Sequence, residues 1–137
     1  QILTFTFQQF THDINLPYSL SSNNVTCGSE DEQGTPWFGP NASGLYVKKN
    51  VSVDFHKHSG INQELDKFSR NITAITQGTD GNLWLGTWDK GVLIFDRNNQ
   101  MLNAYHRRCP ELKALGEENI RVMERGPENG IWIGSSS

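Results

Sequence analysis

Residues 82–86 read NLWLG, and in an extended chain Leu83 and Leu85 fall on one side and Trp84 on the other. With both faces apolar, this stretch predicts a strand buried between two neighbouring sheets rather than one that faces water. The apolar runs GLYV at 44–47 and GVLIF at 91–95 predict further short strands. Between the runs stand Asp-, Glu- and Gly-rich segments (DEQG, TDGN, PENG), in which Gly or Asn supplies the positive φ that a tight turn needs.

The pattern repeats. NVTCGSEDEQGTPWFG (24–39), NITAITQGTDGNLWLG (71–86) and NIRVMERGPENGIWIG (119–134) superpose without gaps at spacings of 47 and 48 residues. Each copy opens on Asn and a β-branched residue and closes on Trp, an apolar residue and Gly. Gly44 and Gly91 each follow the closing Gly of their copy by five residues. Each unit therefore predicts four short strands, the fourth ending on an aromatic, Phe55 or Tyr105. Four-stranded antiparallel units of this length that pack face to face describe a β-propeller. The expected organisation is an all-β, partial propeller over residues 1–137. An outer strand of a preceding blade lies within 1–12, blades follow at 24–57 and 71–106, and the opening strands of another lie at 119–137. Helix is expected only as a turn or two within 60–70 and 110–118. Because IWIGSSS at 131–137 stops inside a blade and three partial blades cannot close a ring, the boundaries are expected not to be natural ones.

NITAITQGTDGNLWLGTWDKGVLIFD, and the lead-in LPYSLSSNNVT at 16–26, resemble the two-component regulator propeller repeat. The resemblance covers nearly the whole chain. Departures are Pro40, where Thr is usual, and Asn129-Gly130, whose Gly comes one place late. The resemblance implies the periplasmic sensor region of a hybrid two-component system, best known from gut Bacteroides that sense polysaccharide breakdown products. It also implies a histidine kinase elsewhere in the parent chain, an oligosaccharide ligand, and membrane attachment only through that parent. A Trp-centred repeat marks blades and leaves the ligand open. Two alternatives remain: a propeller-scaffold enzyme of the streptogramin-lyase type, and a protein-docking propeller.

Composition narrows the chemistry. A formal net charge of −3 over 137 residues argues against nucleic acid, which needs a basic face. No apolar run approaches the roughly 20 residues of a membrane helix. The two cysteines, Cys27 and Cys109, form no disulfide framework. Cys27 shares its repeat position with Ala74 and Val122, a small apolar slot, so it is expected to pack. The four sequons at Asn24, Asn41, Asn50 and Asn71 are read as turn and strand-start residues. No nucleophile elbow, phosphate-cradling loop or metal set is present, so no catalytic residue, metal or cofactor is expected. His56 and His58 make a pair too small for a metal site, and His56 is matched to His106 because each follows its strand's aromatic.

Trp37, Trp84 and Trp132 share one repeat position and are therefore architecture. Trp88 is different, because Asn41 stands in its place in the preceding blade. Its loop, between second and third strands, shares an end of the propeller with the blade-to-blade connections at 56–70 and 106–118. That end gathers Trp88, Asp89, Lys90, Arg107 and Arg108, with His58 further off. An aromatic plate beside charged groups suits an oligosaccharide, above all an acidic one; the alternative is that Trp88 only covers the end of the sheet or meets a neighbouring domain. The open blade faces and the unpaired edge near 3–10 predict self-association.

Overall fold

The computed structural model describes residues 3–48, 54–66, 70–98, 100–105 and 119–136. Strands β1 (Val25–Glu30), β2 (Pro36–Pro40), β3 (Tyr46–Lys48) and β4 (Phe55–Lys57) form one antiparallel sheet in sequence order. Helix α1 (Ser59–Leu65) leads to a second sheet in the same order, β5 (Ile72–Gln77), β6 (Leu83–Thr87), β7 (Val92–Phe95) and β8 (Met101–Tyr105). Strands β9 (Asn119–Arg125) and β10 (Ile131–Ser136) open a third. Contacts between sheets concentrate along their first and second strands, the wedge geometry of a propeller sector.

The repeat is reproduced pair by pair. Ser29 faces Trp37, Thr76 faces Trp84 and Glu124 faces Trp132. All three first hairpins carry a bulge at one register position, so Thr26, Thr73 and Arg121 are the extra residues. The turns agree as well. Gly34 and Gly81 adopt φ of 77° and 81°, and Asn129, at the equivalent position, adopts 65°. Asn can occupy this region, which is why the late Gly130 leaves the hairpin intact. Asp31 and Asp80 act as turn formers, accepting from the backbone N–H of Gln33 and Asn82 respectively.

The core lies between blades, not within them. Ile72, Ile75, Leu83, Leu85, Leu93 and Phe95 are buried against blade 1 with Leu45, and Ile61 and Leu65 of α1 close the same cluster. Ala74, Val92, Ile94, Ile120 and Met123 form a second cluster between blades 2 and 3. Close approach is essential here, since a Cβ on Gly86 would stand 2.6 Å from Ile120 Cγ2. Hydroxyls staple the same junctions: Thr26 Oγ1 donates to the carbonyl of Ile72, and Thr73 Oγ1 to that of Ile120. At the opposite end of the blades Arg125 bonds the Gln77 carbonyl and lies 3.1 Å from Glu32, a half-exposed ion pair of small energetic weight.

Three expectations change. Residues 3–10 belong to no strand, because no described strand offers them a ladder, and Leu3, Phe5 and Phe7 are exposed. The outer strands also align differently. Lys57 faces Tyr46 as Ala104 faces Leu93, so Tyr105 corresponds to His58, and Phe55 lies at the start of β4 as described. The pairing of His56 with His106 fails with that shift; His56 corresponds to Asn103, and His106 lies outside the described residues, as do Asn50 and 110–118. The tryptophans keep one register but not one environment. Trp37 and Trp84 are half-buried against the two clusters, whereas Trp132 is 65% exposed. Trp37 Nε1 donates to Asp31 Oδ2, while Trp84 Nε1 is buried without a partner among the described residues.

One buried amide fixes the connection between blades 1 and 2. Asn62 Nδ2 donates to the carbonyls of Leu45 and His58, and its Oδ1 accepts from Leu45 N–H at 3.0 Å. Replacing it strands buried backbone groups, so Asn62→Ala should cost about 2–3 kcal/mol. Removing the half-buried staple in Thr73→Val should cost about 1 kcal/mol. Urea unfolding of both variants checks the size and order of the two losses.

Candidate functional site

The β2–β3 and β6–β7 loops reach the same end of the molecule as the entries to the first strands. Asn41 N–H bonds the Asn24 carbonyl, and Trp88 N–H bonds the Asn71 carbonyl, in matching positions of the two blades. The blade-to-blade connection arrives there as well, because Gly44 N–H bonds the Arg70 carbonyl. These loops therefore share an end with the entries to β1 and β5 and with Arg70, while 106–118 lies outside the described residues.

An open groove of about 460 Å³ lies at this end, lined by Thr26, Asn41, Asn71, Thr73, Trp88 and Arg121. Thr26, Thr73 and Arg121 are the bulge residues of the three blades, and a bulge re-aims its side chain out of the regular alternation. Trp88 is 44% exposed, and the Arg121 guanidinium carbon lies 4.1 Å from its ring centroid, a cation–π contact between blades 2 and 3. Arg121 Nε also donates to Ser136 Oγ at 2.9 Å. Ser136 occupies the repeat position of Trp88 and Asn41, so Arg121 is held between that position of its own blade and of the preceding one. A guanidinium carries five N–H donors in a planar fork, suited to a carboxylate or sulfate.

The groove thus joins a half-exposed indole, a cation, two hydroxyls and two amide side chains, a set suited to hydrogen-bonding and stacking. Of the residues singled out in the sequence, the structure brings Trp88 to this groove. Asp89 and Lys90 lie in the adjoining turn and pair with one another at 3.7 Å, with Lys90 N–H bonded to Thr87 Oγ1. Arg107 and Arg108 lie outside the described residues. His58 is elsewhere: it caps α1, with Nδ1 accepting from Ile61 N–H, and its ring stands 5.6 Å from that of Trp37. Burial pushes its pKa down, in keeping with a cap that needs the unprotonated ring. Sequence reasoning missed Arg121. The signal was available, since Arg replaces Thr at a repeat position in the way Trp88 replaces Asn41.

Cys27 packs against the first cluster, with Sγ 3.5 Å from the Ile72 carbonyl. Burial pushes its thiol pKa up to about 11, against the opposing effect of hydrogen bonds at Thr26 and Gly39. Cys109 lies outside the described residues.

The fold and groove define a sector of a β-propeller with a ligand-sized opening between blades. Residues 66–89 match the family model described as two component regulator propeller. The fold is shared with the extracellular domain of a protein from B. thetaiotaomicron described as a hybrid two component system, at 16% identity and a TM-score of 0.51. That likeness covers 86% of this chain and 21% of the other. The extracellular domain of a B. thetaiotaomicron protein described as a one component system matches at 16% identity and a TM-score of 0.71. It covers 92% of this chain and 18% of that one, so the chain spans about a fifth of the length of either. No curated protein matches the chain.

A thiol with its pKa near 11 stays protonated at neutral pH, and the thiolate is the reactive form. In a Cys109→Ser variant, Cys27 should react with a disulfide reagent at pH 8 only on unfolding. The raised value also sets a pH dependence. The contribution to stability is whole below the unfolded thiol's pKa of about 8.5 and is lost as pH rises through the folded value.

Proposed function

We propose that this chain is a ligand-sensing segment of a two-component sensor propeller. In this reading it lies in the periplasm, detects oligosaccharides released from polysaccharides, and signals to a histidine kinase elsewhere in the parent chain. It performs no chemistry itself. The observation that carries the reading is the two component regulator propeller repeat at 66–89, set in a fold shared with extracellular domains of two proteins described as signalling systems.

The groove supports the choice of ligand. Pyranose rings present apolar C–H faces that stack on an exposed indole, and Trp88 offers one beside the amides of Asn41 and Asn71. Arg121 adds a fixed cation for an acidic sugar, with Lys90 in the adjoining turn as a further cationic group.

Calorimetry on the complete sensor domain with an oligogalacturonate, and a neutral cello-oligosaccharide for comparison, tests this. Trp88→Ala should weaken binding of the acidic sugar about tenfold, and Arg121→Ala should do the same. Only the Trp88 variant should affect a neutral ligand. Unchanged affinity in both variants removes the groove from the binding site.

A further inference from the structure

One titratable side chain fastens the connection between blades 1 and 2. His58 directly follows β4, its N–H donating to the Leu45 carbonyl at 3.0 Å, and it opens α1, its Nδ1 accepting from Ile61 N–H at 3.2 Å. Its carbonyl accepts from both the N–H and the Nδ2 of Asn62. The turn it caps is core, since Ile61 and Leu65 are 0% exposed and Asn62 is 4%. All of this lies inside the junction of two blades that each have four strands.

The ring has a second neighbour. Trp37 stands 5.6 Å away, centroid to centroid, with the planes tilted by 32°, and Trp37 Nε1 donates to Asp31 Oδ2. An indole at this distance attracts a cation, so the place beside Trp37 favours the charged ring. The cap favours the neutral one, because Nδ1 has a single lone pair and holds Ile61 N–H only while it carries no proton. The charged groups on the elements around it are Lys57 on β4, Glu64 on α1 and, in the hollow along Trp37, Asp31, Glu32, Asp96 and Arg97. Lys48 on β3 lies instead over Phe10, and Asp66 at the end of α1 is paired with Arg70. Burial is the largest effect on the ring and disfavours its charge, which keeps the cap intact at neutral pH.

We infer that His58 is an acid-sensitive latch on the junction of blades 1 and 2: a proton taken up at Nδ1 breaks the cap on Ile61 N–H and frees the first turn of α1, while the ring stays against Trp37. The sign follows from the preference of the folded chain for the neutral ring. The contribution of the cap is whole above the unfolded imidazole's value of about 6.5 and is lost as pH falls through the lower folded value. The freed turn carries Asn62, whose side chain bonds both the N–H and the carbonyl of Leu45, and the adjacent Gly44 N–H bonds the Arg70 carbonyl at the groove end. Loosening α1 therefore slackens the two chain segments that flank Asn41 and Asn71. The latch acts on the junction whichever ligand fills the groove.

Hydrogen exchange on the complete sensor domain, followed by mass spectrometry, reads both halves of the latch. Exchange at His58 Cε1–H gives the midpoint of its titration, which should lie below about 6.5. Protection of the amides at 61–65, corrected for the intrinsic rate, should fall about fivefold between about pH 7.5 and about pH 4.5, with that same midpoint. His58→Asn keeps an acceptor at the cap and cannot titrate, so its protection should hold steady over this range. His58→Ala should be about fivefold less protected than the wild type at the higher pH and no more sensitive to acid than His58→Asn. Steady protection in the wild type overturns the latch. So does an equal loss in His58→Asn, or a loss whose midpoint differs from that of the His58 ring.

Discussion

Each sheet is apolar on both sides, and that single constraint governs the molecule. A sheet of this kind cannot be stable alone, because half of its apolar area would face water wherever a neighbour is lacking. Blade 2, held between two others, shows the satisfied state: β7 is buried at every position, and β5 at four of six. The equivalent first strands of blades 1 and 3, β1 and β9, are exposed at most positions. Moving one Ile from water into such a junction stabilises by about 1.5–3 kcal/mol, far more than the exposed ion pair of Arg125 with Glu32 contributes. The junction, not the individual blade, is the unit of stability.

The same junction creates the groove. A bulge at one register position lifts a side chain out of the first strand of every blade, and in blades 1 and 2 that residue is a Thr whose hydroxyl staples the next blade. In blade 3 the position holds Arg121, which lies over Trp88 of the preceding blade and bonds Ser136 of its own. Repeat position 41, 88 or 136 is likewise provided in each blade, and the residue there changes from Asn to Trp to Ser. Architecture supplies the positions; departures from the repeat supply the chemistry.

How far the sequence could be read follows from where the repeat is strict. Its spacing predicted four-stranded antiparallel units and tight turns with Gly or Asn at positive φ, because Gly and Trp markers pin the first two strands in every copy. The outer strands lack such markers. Phe55 and Tyr105 were matched as aromatics, yet the ladder sets Tyr105 opposite Val92 and aligns it with His58, and pairing rather than residue type decides an outer strand. Residues 3–10 have a strand-like pattern, but a strand also requires a ladder partner, which a local pattern cannot report. Arg121 escaped notice for a different reason: it falls inside a strand, where regular alternation assigns it no special direction until the bulge is known.

These points bear on what ligand binding can do in this fold. Thr26 belongs to blade 1, Thr73 and Trp88 to blade 2, and Arg121 to blade 3, so a molecule filling the groove touches all three. Its binding free energy then adds to contacts between blades rather than within one. Anything that binds the assembled form and not the separated one stabilises the assembly by mass action, by about 2.7 kcal/mol at a hundredfold excess over its dissociation constant. That is comparable to seating a whole Ile in a junction. A ligand site placed between blades acts on the interaction that holds the molecule together, whereas one confined to the loops of a single blade leaves that interaction untouched.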